Sequence, residues 1–135
     1  MKISKKSQYG LRAIIYLAKS KKKVCPLKEI SEAERISFDF LEKIISELRE
    51  AGFVRAKKGM KGGYYLAQKP EKINIGEMIK VLEGEIALVK CTTPRKSCPR
   101  EKKCLAKNFW EKFQDSLISA LDSMTLADLI KNEKL

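Results

Sequence analysis

A mainly α-helical chain with one small β wing is the fold class this sequence predicts: a helix-turn-helix, a hairpin, and a long C-terminal helix. Three observations carry that reading. Apolar residues recur at spacings of three and four in five separate stretches. A tight turn, ERIS, joins the second and third of the predicted helices. A glycine- and lysine-rich tract, KGMKGG, then separates two short β-rich runs, as a hairpin requires.

The elements follow in order. Residues 7–20 place Leu11, Ile14, Ile15 and Ala18 at helical spacing, with Ser7 as the expected N-cap. After Lys21-Lys22-Lys23, Pro26 suits a helix start, and LKEISEAE turns Leu27, Ile30 and Ala33 inward. Ser37 is the expected cap of FDFLEKIISELREAG, whose inner stripe is Leu41, Ile44, Ile45 and Leu48 and whose stop is Gly52. FVRAKK and the run beginning Tyr64-Tyr65-Leu66 form the wing. Beyond Pro70, Asn74 and Glu77 make a capping-box-like start to a fourth helix with Ile75, Met78, Ile79 and Leu82 on one side. Residues 85–104 read as a loop, with Pro94, Pro99 and three cysteines. A helix of about 20 residues, roughly 30 Å long, is expected from near Leu105, its stripe running Trp110, Phe113, Leu117, Leu121, Met124.

This divides the 135 residues into a winged helix-turn-helix domain (1–84), a cysteine-containing loop (85–104), and a dimerisation helix with a tail (105–135). The length suits one core with an extension. The long helix can pack back on helix one or on a copy of itself. A homodimer is the expectation, because two related half-sites on duplex DNA match two-fold symmetry.

Charge narrows the partner. The chain carries +12 overall, with 29 basic and 17 acidic residues. The part ending at Gly84 holds 19 basic and 10 acidic residues, a net +9, against +3 for the remainder. That excess is a footprint for phosphate, so nucleic acid is the expected partner class. A membrane partner is not expected: no apolar run nears the roughly 18 residues of a span. The N-terminal stretch lacks a small-residue cleavage site, and Tyr9, Arg12 and Tyr16 interrupt its apolar character, so a cytoplasmic protein is expected. In that reducing compartment the four cysteines favour metal or redox chemistry over disulfides. The chain has no histidine, no nucleophile paired with a base, and no usual phosphate-binding glycine loop, so an enzyme is disfavoured.

Expected DNA contacts fall on two elements. The third helix enters the major groove with Ser37, Asp39, Phe40, Glu42, Lys43 and Ser46, although Phe38 and Phe40 also suit a core. Arg35, in the turn before it, can add a phosphate contact. On the wing, Lys57, Lys58 and Lys61 can reach phosphates or a minor groove, while Gly59, Gly62 and Gly63 permit positive φ and close approach. A solvated surface turn is the alternative.

The cysteines are Cys91, Cys98 and Cys104, spaced C-x6-C-x5-C. Thiolates suit iron–sulfur clusters, zinc or copper(I). The gaps are longer than zinc knuckles use, and no histidine is available, which argues against zinc without excluding a structural zinc or a thiol redox switch. Free thiols among Arg95, Lys96, Arg100, Lys102 and Lys103 would be activated and readily oxidised.

The segment from Ile3 to Ala18 with Tyr9 and Leu17, the run ISFDFLEKIISELREAGFV, the wing KGMKGGYYLA, the helix INIGEMIKVLEGE and the cysteine loop before CLAKNFWEKF appear in this order. Together they resemble the iron–sulfur cluster regulators, winged-helix bacterial transcription factors that include IscR, NsrR and RirA. The resemblance covers nearly the whole chain. It implies a homodimer, a cluster near the dimer interface, and binding to a palindromic operator that changes with cluster state. It also implies base discrimination at Glu42, a carboxylate that can accept from cytosine N4. Its fourth cluster ligand does not transfer. Lys107 stands where some members have histidine, and Gln8 where others have an acidic residue supplied by the partner subunit. Gln8 can offer only an amide oxygen; Glu101 and Cys25 are further candidates, Cys25 more plausibly a small buried residue. The expectation is three thiolates and a weak oxygen ligand, which leaves one iron open to oxygen, nitric oxide or loss. Whether the cluster is [2Fe-2S] or [4Fe-4S] stays open.

Overall fold

The computed structural model describes residues 2–92, 99–100 and 103–131, which form six α-helices and a two-stranded antiparallel sheet. Helix α1 runs Lys5–Lys19 and is capped by Ser4, whose hydroxyl accepts from the Ser7 N–H at 3.1 Å. The start therefore lies before Ser7, which is fully buried inside the first turn. A distant carboxylate explains the shift: the Ser4 N–H donates to Glu83 at 2.6 Å, a contact no local window of sequence contains. The buried face also differs from the expected one. Gly10, Ala13, Ile14 and Leu17 point inward, whereas Leu11, Ile15 and Ala18 are only half-buried. Small residues take the inside because α1 crosses its neighbours closely; a methyl group on Gly10 would run into Leu82.

Helix α2, Leu27–Glu34, buries Leu27 and Ile30 but leaves Ala33 exposed, since two turns present only a narrow face. Helix α3, Phe38–Glu50, is capped by the Ser37 hydroxyl, which accepts from the Phe40 N–H at 3.3 Å. Its stripe of Leu41, Ile44, Ile45 and Leu48 is fully buried, as the spacing predicts. Each such side chain removed from water contributes about 1.5–3 kcal/mol before entropy is counted.

Strands β1, Val54–Lys57, and β2, Gly63–Leu66, pair in the register Val54↔Leu66 to Lys57↔Gly63. A third short edge comes from Cys25, whose N–H donates to the Tyr64 carbonyl at 2.9 Å and whose carbonyl accepts from the Tyr64 N–H at 2.8 Å. Gly63 makes this possible, because any Cβ there would collide with the Cys25–Pro26 backbone.

Helix α4, Ile75–Glu83, buries Ile75, Met78, Ile79 and Leu82, and the Asn74 side chain accepts from the Glu77 N–H at 2.9 Å. Helix α5 is Ala106–Asp122, 17 residues or about 25 Å, so Met124 lies beyond its end. The chain then turns back into α6, Leu126–Lys131, with Thr125 and Asp128 capping each other's backbone N–H groups. Leu126 is fully buried in the same core as α1 and α3. The expected tail is thus partly core. Backbone bonds from Ile75 N–H to Met124 and from Leu126 N–H to Ile73 fix the return at 3.0 and 2.9 Å. The Asn74 amide donates to the Asp122 carbonyl at 2.8 Å, and Lys80 pairs with Asp122 at 3.1 Å.

Candidate functional site

The DNA-facing candidates gather on α3 and the wing. Ser37, Asp39, Glu42 and Lys43 are exposed, Ser46 is half-buried, and Arg35 holds a left-handed turn conformation at φ 55° and ψ 47°. Ser37 is committed to capping. The two phenylalanines separate: Phe40 packs on the core with its ring 5.7 Å from Tyr9 in a T-shaped contact, whereas Phe38 is exposed. Phe40 is therefore a packing residue at the edge of this face.

Tyr9 shows what the sequence reading missed. Lys5 and Arg12, one turn away on either side, approach its ring centroid at 5.8 and 5.4 Å. Arg12 also pairs with the Glu34 carboxylate at 3.1 Å and donates to the Glu34 carbonyl, bracing the turn that contains Arg35. The i, i+3, i+4 spacing of these cations around Tyr9 was the available signal.

On the wing, Lys57, Lys58, Gly59 and Lys61 are exposed, whereas Gly62 and Gly63 are half-buried. Gly62 and Gly63 serve close backbone packing, against Lys57 and Cys25 respectively. Only Gly59, at φ 110°, has open space around it. Four cations elsewhere are neutralised: Lys6 by Glu47, Arg12 by Glu34, Lys22 by Glu29, Lys80 by Asp122. Among the described residues, Lys43, Lys57, Lys58 and Lys61 form no ion pair.

Cys25 lies fully buried behind the wing, its thiol 3.2 Å from the Ser20 hydroxyl, which fits the structural role expected for it. Beside it, the Tyr16 hydroxyl donates to Glu29 at 2.7 Å, pushing the phenol up to about 12, while hydrogen bonds from Lys22 and Tyr16 hold the Glu29 carboxyl below its usual range.

The second candidate region is the cysteine loop. Cys91 sits half-buried in a short 3-10 turn, Lys90–Thr92, directly after the winged head. The Thr92 hydroxyl donates to the Val89 carbonyl at 2.8 Å. Gln114 on α5 clasps this turn from outside, accepting from the Leu88 N–H at 3.0 Å and donating to the Thr92 carbonyl at 3.5 Å. Cys104, exposed, stands just before α5. Cys98 and Glu101 lie outside the described residues. Among the described residues no three His, Cys, Asp or Glu side chains are placed together to hold a metal ion. Cys91 and Cys104 are free, so the donor chemistry fits an iron–sulfur group at two of the three expected positions. Lys107 pairs with Glu111 at 3.7 Å. Gln8 is exposed on the first turn of α1, its amide nitrogen donating to the Ile3 carbonyl at 2.8 Å.

Between α5 and the end of α4 an apolar groove of about 620 Å³ is lined by Ile3, Ile79, Ile86, Val89, Trp110 and Phe113, among others. No residue of α5 is fully buried, and Phe109 and Phe113 are 59% and 40% exposed. No helix among the described residues is long and apolar enough to cross a membrane.

Residues 3–132 match the Rrf2 family, described as iron-dependent transcriptional regulators. The chain is 35% identical to Protein rrf2 of Nitratidesulfovibrio vulgaris over 136 residues, covering all of this chain and 91% of that protein. It is similar to the solved structure of IscR from T. potens, with 36% identity, a TM-score of 0.79, and 99% and 89% of the two chains covered. It is also similar to the structure of CymR, the global cysteine regulator of B. subtilis, with 36% identity, a TM-score of 0.78, and 99% of each chain covered.

Proposed function

The chain belongs to the Rrf2 family of transcriptional regulators, and from that premise we propose that it is a homodimeric DNA-binding regulator controlled by an iron–sulfur cluster on Cys91, Cys98 and Cys104. Helix α3 reads bases through Glu42 and its exposed neighbours, the wing lysines grip phosphate, and α5 pairs with its copy. The observation that carries the reading is the placement of the free thiols. Cys91 and Cys104 bracket the loop that joins the head to α5, and Gln114 ties that loop to the helix. When bound, the cluster supplies a link between the thiolates that oxidants or nitric oxide can break. The chain's own groups do the rest. The far end of α5 is pinned to α4 through Asp122, so a change at the loop is passed to the head as a change in α5 position. Gln8 of a partner chain is the proposed source of the remaining oxygen ligand, and the reducing cytoplasm is the setting in which such thiolates persist.

Anaerobic absorption spectra with iron and sulfide analysis test this on the full chain. Coloured protein whose cluster is lost in Cys91→Ser and Cys104→Ser, and whose operator affinity differs between loaded and stripped forms, is the expected result. Protein that stays colourless after reconstitution with iron and sulfide removes the cluster. The likeness to a cysteine regulator supports a second reading, a cluster-free regulator working through thiol chemistry or a structural zinc. Bound zinc, with folding lost on chelation, would favour the zinc form.

A further inference from the structure

Seven large apolar side chains stand exposed among the described residues, and most belong to one face. Ile3, Leu105, Phe109 and Phe113 lie on α5, just before it, or along the groove beside it, and Val81 stands apart on α4. Phe38 and Met60 instead sit on α3 and on the wing, the two elements that present Lys43 and Lys57, Lys58 and Lys61 to solvent.

Met60 is the extreme case. Its side chain is wholly exposed, at 105%, on the tip of the wing. A single exposed apolar residue on an ordinary surface needs no explanation. This one is held out by a closed turn. The Gly62 N–H donates to the Gly59 carbonyl at 3.0 Å, and Gly59 adopts φ 110°. Gly62 lies so close to the Lys57 and Gly59 carbonyls that no Cβ fits. Met60 and Lys61 are therefore the two central residues of a hydrogen-bonded turn, with Lys57 and Lys58 directly behind. An apolar apex ringed by cations is poorly suited to an apolar partner and well suited to a slot between two rows of phosphates.

We propose that Met60 is a minor-groove wedge. The tip enters the minor groove of duplex DNA, and the thioether presses against a base step and partly unstacks it. Lys57, Lys58 and Lys61 meanwhile hold the flanking phosphates. Methionine suits this use, being unbranched, flexible and polarizable. The preferred step is pyrimidine–purine, where unstacking costs least, so the wing contributes specificity through deformability at a position with no hydrogen-bonded base. The proposal rests on DNA contact by the wing and is independent of what the cysteine loop holds.

The probe is a duplex about three helical turns long, selected by the full-length wild-type protein from a random pool and resynthesised with 2-aminopurine at one step at a time. In the wild-type complex the fluorescence should rise at one position in each half-site. Met60→Ala should lose that rise and bind about tenfold more weakly with an unchanged salt slope, while Met60→Leu keeps both. Lys61→Ala should do the reverse, retaining the rise and lowering the slope by about one. Retention of the rise in Met60→Ala, a reduced salt slope in that variant, or no rise anywhere in the wild-type complex would each overturn the wedge. The same series run on cluster-loaded and stripped protein separates this result from any failure of the cluster reading.

Discussion

Helices α3 and α5 carry the same kind of apolar stripe and meet opposite fates. In α3, Leu41, Ile44, Ile45 and Leu48 are fully buried within one chain. In α5, Trp110, Phe113, Leu117 and Leu121 line an open groove, and no residue of the helix is fully buried. Periodicity states that a helix has an apolar face; it does not state whose surface covers it. The head completes its own core, whereas α5 leaves apolar area that a second copy of the chain can close.

The sharpest way to break that comparison is to truncate one residue from each helix. Leu48→Ala should cost about 2–5 kcal/mol in denaturant unfolding, since the side chain is fully buried among close-packed neighbours. Phe113→Ala should cost the dissociated chain under about 1 kcal/mol while weakening dimerisation about tenfold or more in sedimentation. An equal loss of monomer stability in both variants would mean that α5 is held by its own head, and the dimer proposal would lose its basis.

Glu83 tests the seam between the regions at a smaller scale. Burial alone would raise its carboxyl, but hydrogen bonds from Ser4, backbone and side chain, and from Ser7 outweigh it and hold the group below the ordinary carboxylate range. A lowered folded value means stability that is present above the ordinary carboxylate pKa and is lost as pH falls through the folded one. Glu83→Gln keeps an acceptor for the Ser4 N–H but removes the charge, so it should cost under about 1 kcal/mol at pH 7 and flatten the acid limb of thermal stability below about pH 4.3. An unchanged acid limb would place the acid sensitivity elsewhere.

The sequence carried most of the head and less of what joins it to α5. The bounds of α2 and the stripes of α3 and α4 were legible because local caps and spacing agree with the tertiary packing. Ser7 was misread as a cap because the true start depends on Glu83, 79 residues away from Ser4. The inner face of α1 was legible at Ile14 and incomplete elsewhere, because a close helix crossing rewards Gly10 and Ala13, while hydrophobic spacing rewards Leu11 and Ile15, which pack at the edge of the core. The return of α6 into the core depends on backbone pairing of residues 73–75 with 124–126, which leaves no mark in composition. At the candidate site, exposure of Glu42, Lys43 and the wing lysines followed from their positions off the stripes. Gln114 gave no signal, because a polar residue inside an apolar stripe reads as an interruption until its partners at Leu88 and Thr92 are seen.

Gln114 supplies the next contrast. If it holds the Cys91 turn, Gln114→Ala should speed alkylation of Cys91 a few-fold in cluster-free protein, with Cys104 as the exposed internal control. Equal rates in wild type and variant would show that Val89 and Thr92 close the turn by themselves.

The smallest expected effect lies at high pH, where the head should respond and α5 should not. Tyr16 is raised from 10.0 to about 12 chiefly by its hydrogen bond to Glu29, which Lys22 also contacts. A raised folded value gives stability that is complete below about pH 10 and fades as pH rises toward about 12, because the unfolded chain gives up the phenolic proton first. Tyr16→Phe removes that proton from the balance. The variant should lie within about 1 kcal/mol of wild type at pH 7, since it loses one part-buried hydrogen bond, and should lose less stability than wild type between pH 10 and 12. Lys22 titrates nearby, so Lys22→Met in the same background isolates the phenol. Parallel alkaline limbs for wild type and Tyr16→Phe would show that the contact with Glu29 does not survive in solution.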